Sequence, residues 1–150
     1  MRARQAIALL ALAGAFVALY LTLYKIGAIG ELSCSVGECE TVNLSRWATF
    51  LHLPVAAWGL LTYLALFALA VAGLQERFEH SRAISRAIAA LAGWSVLFSA
   101  YLTYLELFVI HAICIWCVTS ACIMTLLFIA SLIDLRRTGA VPNAQDQTRP

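Results

Sequence analysis

Charge is what this chain has least of. Only 12% of its 150 residues are charged, about half the share of an ordinary globular protein. Ten basic residues against eight acidic ones leave a net charge of +2. That charge is too small and too dispersed to form the basic face that nucleic-acid binding requires. Internal repeats are absent, and so is any long polar stretch outside the ends. A chain that is 63% hydrophobic has too much apolar surface to stay disordered. Its mean hydropathy of +0.87 equally excludes a soluble domain. A membrane protein remains, with five cysteines as its most reactive content.

Four stretches are long and apolar enough to span a bilayer: residues 6–24, 53–74, 88–110 and 113–133. A span takes about 20 apolar residues, and backbone in lipid must satisfy its own hydrogen bonds, so each is a helix. The last two are separated by His111 and Ala112 alone. One helix over both would run about 69 Å, far beyond a single crossing. A tight helical hairpin near His111 is therefore expected, although no glycine or proline marks it. The fold class is an all-α membrane protein, a bundle of four transmembrane helices. Residues 1–137 form the membrane domain, and the polar segment 138–150 reads as a disordered cytoplasmic tail.

With four spans, both termini and the loop after the second span share one side. Arg2, Arg4, Arg77, Arg82, Arg86, Arg136, Arg137 and Arg149 fall there, against Lys25 and Arg46 opposite. The positive-inside rule makes the eight-residue side cytoplasmic. The loop after the first span then faces outward. The opening Met-Arg-Ala-Arg and its apolar run resemble a signal peptide, but the run exceeds the usual signal core of about 7–15 residues, so a retained helix is expected.

Four of the five cysteines fall on the outward side. Cys34 and Cys39 lie in the first loop, and Cys114-Ile115-Trp116-Cys117 opens the fourth helix. Disulfides form and persist outside the cytosol. Residues three apart share a helix face, and a helix N-terminus favours the thiolate, the attacking species in exchange. A disulfide across one helical turn constrains almost nothing, so the C-x-x-C suits exchange better than stapling. Other readings stand beside this one: inert thiols, a simple loop-closing disulfide between Cys34 and Cys39, or a zinc site built from all four. Two pairs on one face favour electron relay by thiol–disulfide exchange. Cys122 reads as a small buried hydrophobe.

Glu106 is the one charge inside a span, and intramembrane ionisable residues point to function. It sits near the C-x-x-C and can exchange protons there. The alternative is a protonated carboxyl bonded to a neighbouring helix or to Tyr101, Thr103 or Tyr104. His111 reads as an interfacial turn residue. Trp47, Trp58 and Trp116 fit an outer aromatic belt, with Trp116 best placed to touch a ring-shaped substrate.

Taken in order, several motifs resemble the vitamin K epoxide reductase family in its small bacterial form. They are the Cys34 and Cys39 pair, Ser45-Arg46-Trp47, Pro54-Val55-Ala56-Ala57-Trp58-Gly59, and Tyr104-Leu105-Glu106-Leu107 ahead of Cys114-Ile115-Trp116-Cys117. The resemblance implies a bundle around a quinone (ubiquinone or menaquinone), its outer mouth capped by the loop as a half-helix. It also implies roles. Cys34 would form a mixed disulfide with a separate thioredoxin-like (DsbA-like) extracytoplasmic or periplasmic partner. Cys39 would shuttle to Cys114, and Cys117 would face the quinone, with Ser45, Trp47, Trp58, Glu106 and Trp116 around the pocket.

There are three departures. Leu51-His52-Leu53-Pro54 lacks the glycine common before the helix-two proline. Ala121 stands where animal enzymes carry a tyrosine. No thioredoxin-like domain follows the fourth span in this sequence. Quinone-linked generators of the DsbB type carry their pairs in the reverse order and rank as analogues. The implied activity is a membrane thiol oxidase, and its rivals are a quinone-epoxide reductase using the same cysteines, a soft-metal-handling membrane protein and a structural bundle.

 Thiol oxidase is the reading carried forward: an integral protein of the bacterial cytoplasmic membrane that contacts lipid, a quinone and a thiol partner, with no resident metal.

Overall fold

A computed structural model describes residues 2–31, 34, 37–78 and 81–140. Five α-helices follow in order: α1 Arg2–Lys25, the short α2 Cys39–Leu44, α3 Val55–Ala72, α4 Arg82–Leu105 and α5 Ile115–Ala140. The four long ones are long and apolar enough to cross a membrane. The chain is a four-helix membrane bundle, as its hydropathy predicts. Its outer surface is apolar too: Leu9, Phe16, Trp94, Leu97 and Phe108 are all more than 60% exposed. Side chains of that kind face lipid at no cost and water at a considerable one.

The helices pack through small residues. Ala8, Ala11, Ala15 and Ala18 line the buried stripe of α1, which lies against both α3 and α5. Small side chains let backbones approach closely where lipid offers no hydrophobic drive to pair. Gly14 is the tightest case, since a Cβ there would lie 2.1 Å from the Tyr63 ring. Tyr63 is 1% exposed, and its hydroxyl donates to the Ser120 carbonyl at 2.8 Å. Three helices thus meet at one tyrosine.

Several boundaries differ from the sequence expectation. α3 starts at Val55, because Leu53–Pro54 pairs with Thr49–Phe50 in a small antiparallel hairpin, β1 and β2. α4 starts at Arg82, earlier than its apolar run, and continues as a π-helical turn over Glu106–Ile110. α5 starts at Ile115 and runs to Ala140. Thr138 to Ala140, expected in the polar tail, are helical. Thr138 bonds back to the Asp134 carbonyl at 2.8 Å, and Arg82 donates to the Gly139 carbonyl at 3.0 Å. The rest of the expected tail, residues 141–150, lies outside the described residues.

The hairpin between α4 and α5 turns at His111, whose backbone is left-handed at φ 56°. An exposed histidine therefore does the work expected of a glycine. The β1–β2 turn is similar: Leu51 and His52 have φ of 52° and 66°. Two successive left-handed residues match the two-residue hairpin turn that normally takes Asn-Gly. The glycine missing from this stretch is thus replaced by strained backbone, at about 1–2 kcal/mol per residue. Leu51→Asn with His52→Gly is expected to stabilise the protein by about 1–2 kcal/mol. A thermal melt in detergent checks this, and an unchanged or lower midpoint would contradict it.

At the end of the bundle away from the cysteines, Arg4 is 2% exposed. Its guanidinium donates to Asp134 at 3.2 Å, to Ser85 Oγ at 3.0 Å, and to the carbonyls of Gly73 and Phe78. Ser85 also donates to Asp134 at 2.7 Å. All four long helices are tied there. Arg4, counted by sequence among the basic residues of the cytoplasmic side, is a buried ion-pair partner of Asp134.

Candidate functional site

The opposite end gathers the cysteines. Cys34 and Cys39 form a disulfide, and Cys39 opens α2. Cys114 and Cys117 are free thiols. Cys39 (1% exposed) and Cys114 (0%) share one buried cluster with Leu21, Val42 and Ala112, and Cys34 and Cys117 pack against it. Two pairs 75 residues or more apart in sequence are therefore brought together.

Backbone pairing makes the join. Glu38 N–H donates to the Ile113 carbonyl at 2.9 Å, and Gly37 forms an isolated antiparallel bridge with Cys114. Gly37 has φ +96°, and a Cβ there would lie 2.3 Å from the Ile113 carbonyl oxygen. Only glycine fits both the backbone and the contact. Gly37→Val is expected to detach the loop from the start of α5. Hydrogen exchange at the Glu38 amide should then rise while exchange in the long helices stays put. Unchanged exchange at Glu38 would show that the loop accommodates the side chain.

Glu106 is buried, at 6% exposure. Its carboxylate accepts the Cys114 backbone N–H at 3.2 Å, and it lies beside the Cys117 thiol. The π-helical turn explains this reach. One extra residue per turn rotates the end of α4, and such turns recur at functional sites. Of the expected alternatives for Glu106, the bond to a neighbouring helix is the one present, made to the start of α5, whereas Tyr101 and Tyr104 are exposed and Thr103 bonds to the Ser99 carbonyl.

A cavity of about 340 Å³ opens next to these residues, within the size range of small-molecule sites. Cys117 and Glu106 line it, as do Ser45, Trp47 and Trp58. Ser45 ends α2 and bonds to the Val42 carbonyl at 2.7 Å. Trp47 lies in the 3₁₀ turn Arg46–Ala48 that follows. Together, α2, this turn and the hairpin form the cap over the bundle. Trp58 pins the hairpin by donating to the Phe50 carbonyl at 3.1 Å. Tyr63, Ser120, Ala121 and Met124 line the cavity deeper in the bundle.

Trp116 is not among the lining residues. It packs edge-to-face on Tyr20 of α1, ring centroids 5.2 Å apart. Neighbouring helical positions point about 100° apart, so Cys117 facing the cavity turns Trp116 aside. The same geometry corrects Cys122. Five residues beyond Cys117, it is rotated by about 140°, and it is exposed on the bundle's outside instead of buried.

Sequence reasoning passed over Gly37, Asn43 and Tyr63. Gly37 carried a signal, a glycine between two cysteines, but its neighbour Ile113 is remote in sequence. Asn43 is buried beside Cys39 and Cys114 and also lines the cavity.

Against known families, the sequence model described as the vitamin K epoxide reductase family matches residues 5–132. The chain belongs to that family. It is an integral membrane oxidoreductase of the vitamin K epoxide reductase type, from a family that works with quinones. The match covers α1 through most of α5, and so includes both cysteine pairs and the cavity.

Proposed function

We propose that this protein is a thiol oxidase of the vitamin K epoxide reductase family, passing electrons from a thioredoxin-like partner through its two cysteine pairs to a quinone. The observation that carries this reading is the placement of Cys117 in the cavity wall while Cys39 and Cys114 share the buried cluster behind it. One pair has access to the cavity, and the other has access to the loop.

Each step is a thiol–disulfide exchange, in which a thiolate attacks one sulfur and a second thiolate leaves. With both pairs oxidised, a partner thiolate attacks Cys34 and Cys39 leaves. Cys39 attacks Cys114, and Cys117 leaves into the cavity wall. The partner's second thiol releases Cys34, which attacks Cys39 and frees Cys114. The partner is now a disulfide, Cys34–Cys39 is restored, and Cys114 and Cys117 are reduced.

The cavity suits a quinone because its lining is mostly apolar, with polar groups that include Ser45, Asn43, Glu106 and the Cys117 thiol. A quinone held there supplies an acceptor for two electrons and two protons. Glu106, beside Cys117 and open to the same cavity, is placed to hold one of those protons. By the distribution of basic residues, the cap and cysteines face the extracytoplasmic side.

The test is anaerobic quinone reduction by the purified protein in detergent, driven by a dithiol, with products analysed for both quinone and quinone-epoxide substrates. Turnover of the quinone with recovery of two disulfides supports the oxidase. Turnover of the epoxide alone moves the assignment to an epoxide reductase using the same cysteines.

A further inference from the structure

Asn43 is the residue at the junction of the two pairs. It sits on α2, 6% exposed. Its side-chain amide donates to the Cys39 carbonyl at 3.0 Å and lies 3.9 Å from Cys114 Sγ. The amide has two hydrogens, so it can serve both. Cys114 Sγ also accepts the Cys117 backbone N–H at 3.4 Å. Two N–H groups thus converge on a sulfur with no solvent exposure. Asn43 itself is held in place: Lys25, in the last turn of α1, donates to its backbone carbonyl. An inert thiol needs no such donors, because a thiol is a weak acceptor. A buried thiolate needs them, because it has lost water and keeps its charge.

Resting on the relay above, we propose that Asn43 is a working residue of the exchange: its amide N–H stabilises Cys114 as the leaving thiolate when Cys34 reclaims Cys39. In that step the Cys34–Cys39 bond forms, the Cys39–Cys114 bond breaks, and the electron pair leaves on Cys114 Sγ. Asn43 thereby biases the chain toward the state in which the loop disulfide is restored and both electrons sit on the cavity pair. The charged and titratable groups around this sulfur are Cys117 on α5, Glu106 at the end of α4, Cys39 on α2 and, through the Asn43 carbonyl, Lys25 on α1. Glu106 opposes the thiolate as a like charge when ionised, which makes the two N–H donors matter more.

The test uses the full chain in detergent with Cys117→Ser. Cys34, Cys39 and Cys114 then share one disulfide and one thiol, and interconvert between Cys34–Cys39 and Cys39–Cys114 without any added oxidant. Acid quenching and peptide mass spectrometry count the two isomers across a pH series. With Asn43 present, the Cys34–Cys39 isomer should gain as pH rises, because that isomer releases Cys114 as the favoured thiolate. In Asn43→Leu the gain should move to higher pH, leaving about tenfold more Cys39–Cys114 isomer at neutral pH, the equivalent of one pKa unit. Asn43→Asp, which puts a carboxylate where the donor was, should move it further in the same direction.

A shift of the isomer ratio by the same factor at every pH, in either variant, would mean that Asn43 only shapes the packing, and would overturn the proposal. So would an unchanged profile. If Cys39–Cys114 never forms in Cys117→Ser with Asn43 intact, the relay itself fails and the proposal with it. Failure of the relay and failure of Asn43's role therefore give different results.

Discussion

Cys117→Ala is expected to abolish quinone reduction, with a loss on the order of 10³-fold or more, while the Cys34–Cys39 disulfide still forms. The size of the effect follows from position. Of the four relay cysteines, Cys117 is the one in the cavity wall. Cys114 has no solvent exposure, and Cys39 lies in the buried cluster beside it. Without Cys117 the cavity pair cannot form a disulfide, so no oxidising equivalent reaches Cys39. A partner's thiols would still exchange with Cys34, giving one turnover of the loop disulfide and then arrest. Quinone absorbance and acid-trapped thiol counts separate these steps. Steady turnover in the alanine variant would sink the assignment of Cys117 as the thiol that meets the quinone.

The second large effect lies at the other end of the bundle. Removing one partner of the Arg4–Asp134 pair, by Arg4→Ala or Asp134→Asn, is expected to destabilise the protein by about 3–5 kcal/mol, because it leaves an uncompensated buried charge or strands its donors. The pair is 2% and 9% exposed by side chain. The guanidinium also satisfies two carbonyls at the α3–α4 connection, so its loss unties several helices together. Replacing both partners, Arg4→Met with Asp134→Leu, should recover much of the loss, since apolar packing can substitute for a buried pair. Thermal melts in detergent measure all three. If the double variant is no better than the singles, the network contributes through the backbone carbonyls more than through the ion pair.

Much of this was legible in the order of residues. Length and hydropathy require four helices, because lipid leaves no other way to satisfy so much apolar backbone. The 46 residues from 88 to 133 forced a hairpin at His111, and the turn is there, made with left-handed backbone. Cys34, Cys39 and the C-x-x-C stood out by spacing, and the motifs between them pointed to the family that the chain belongs to. Ser45, Trp47, Trp58 and Glu106 were named from those motifs, and all four line the cavity.

What was not legible depended on rotation and on contacts distant in sequence. Trp116 and Cys117 are adjacent in sequence, yet one packs on α1 and the other lines the cavity; a helical step of about 100° decides it. Gly37 matters because Ile113 lies against it, and Arg4 because Asp134 does, at a separation of 130 residues. The Glu106 contact with the Cys114 amide needed the π-helical turn. Composition and spacing alone determined that this is a four-helix membrane protein with two cysteine pairs. Only the tertiary structure decided which cysteine reaches the cavity, which glycine docks the loop and which asparagine sits between the pairs, because those follow from helix rotation and packing, which a linear pattern does not specify.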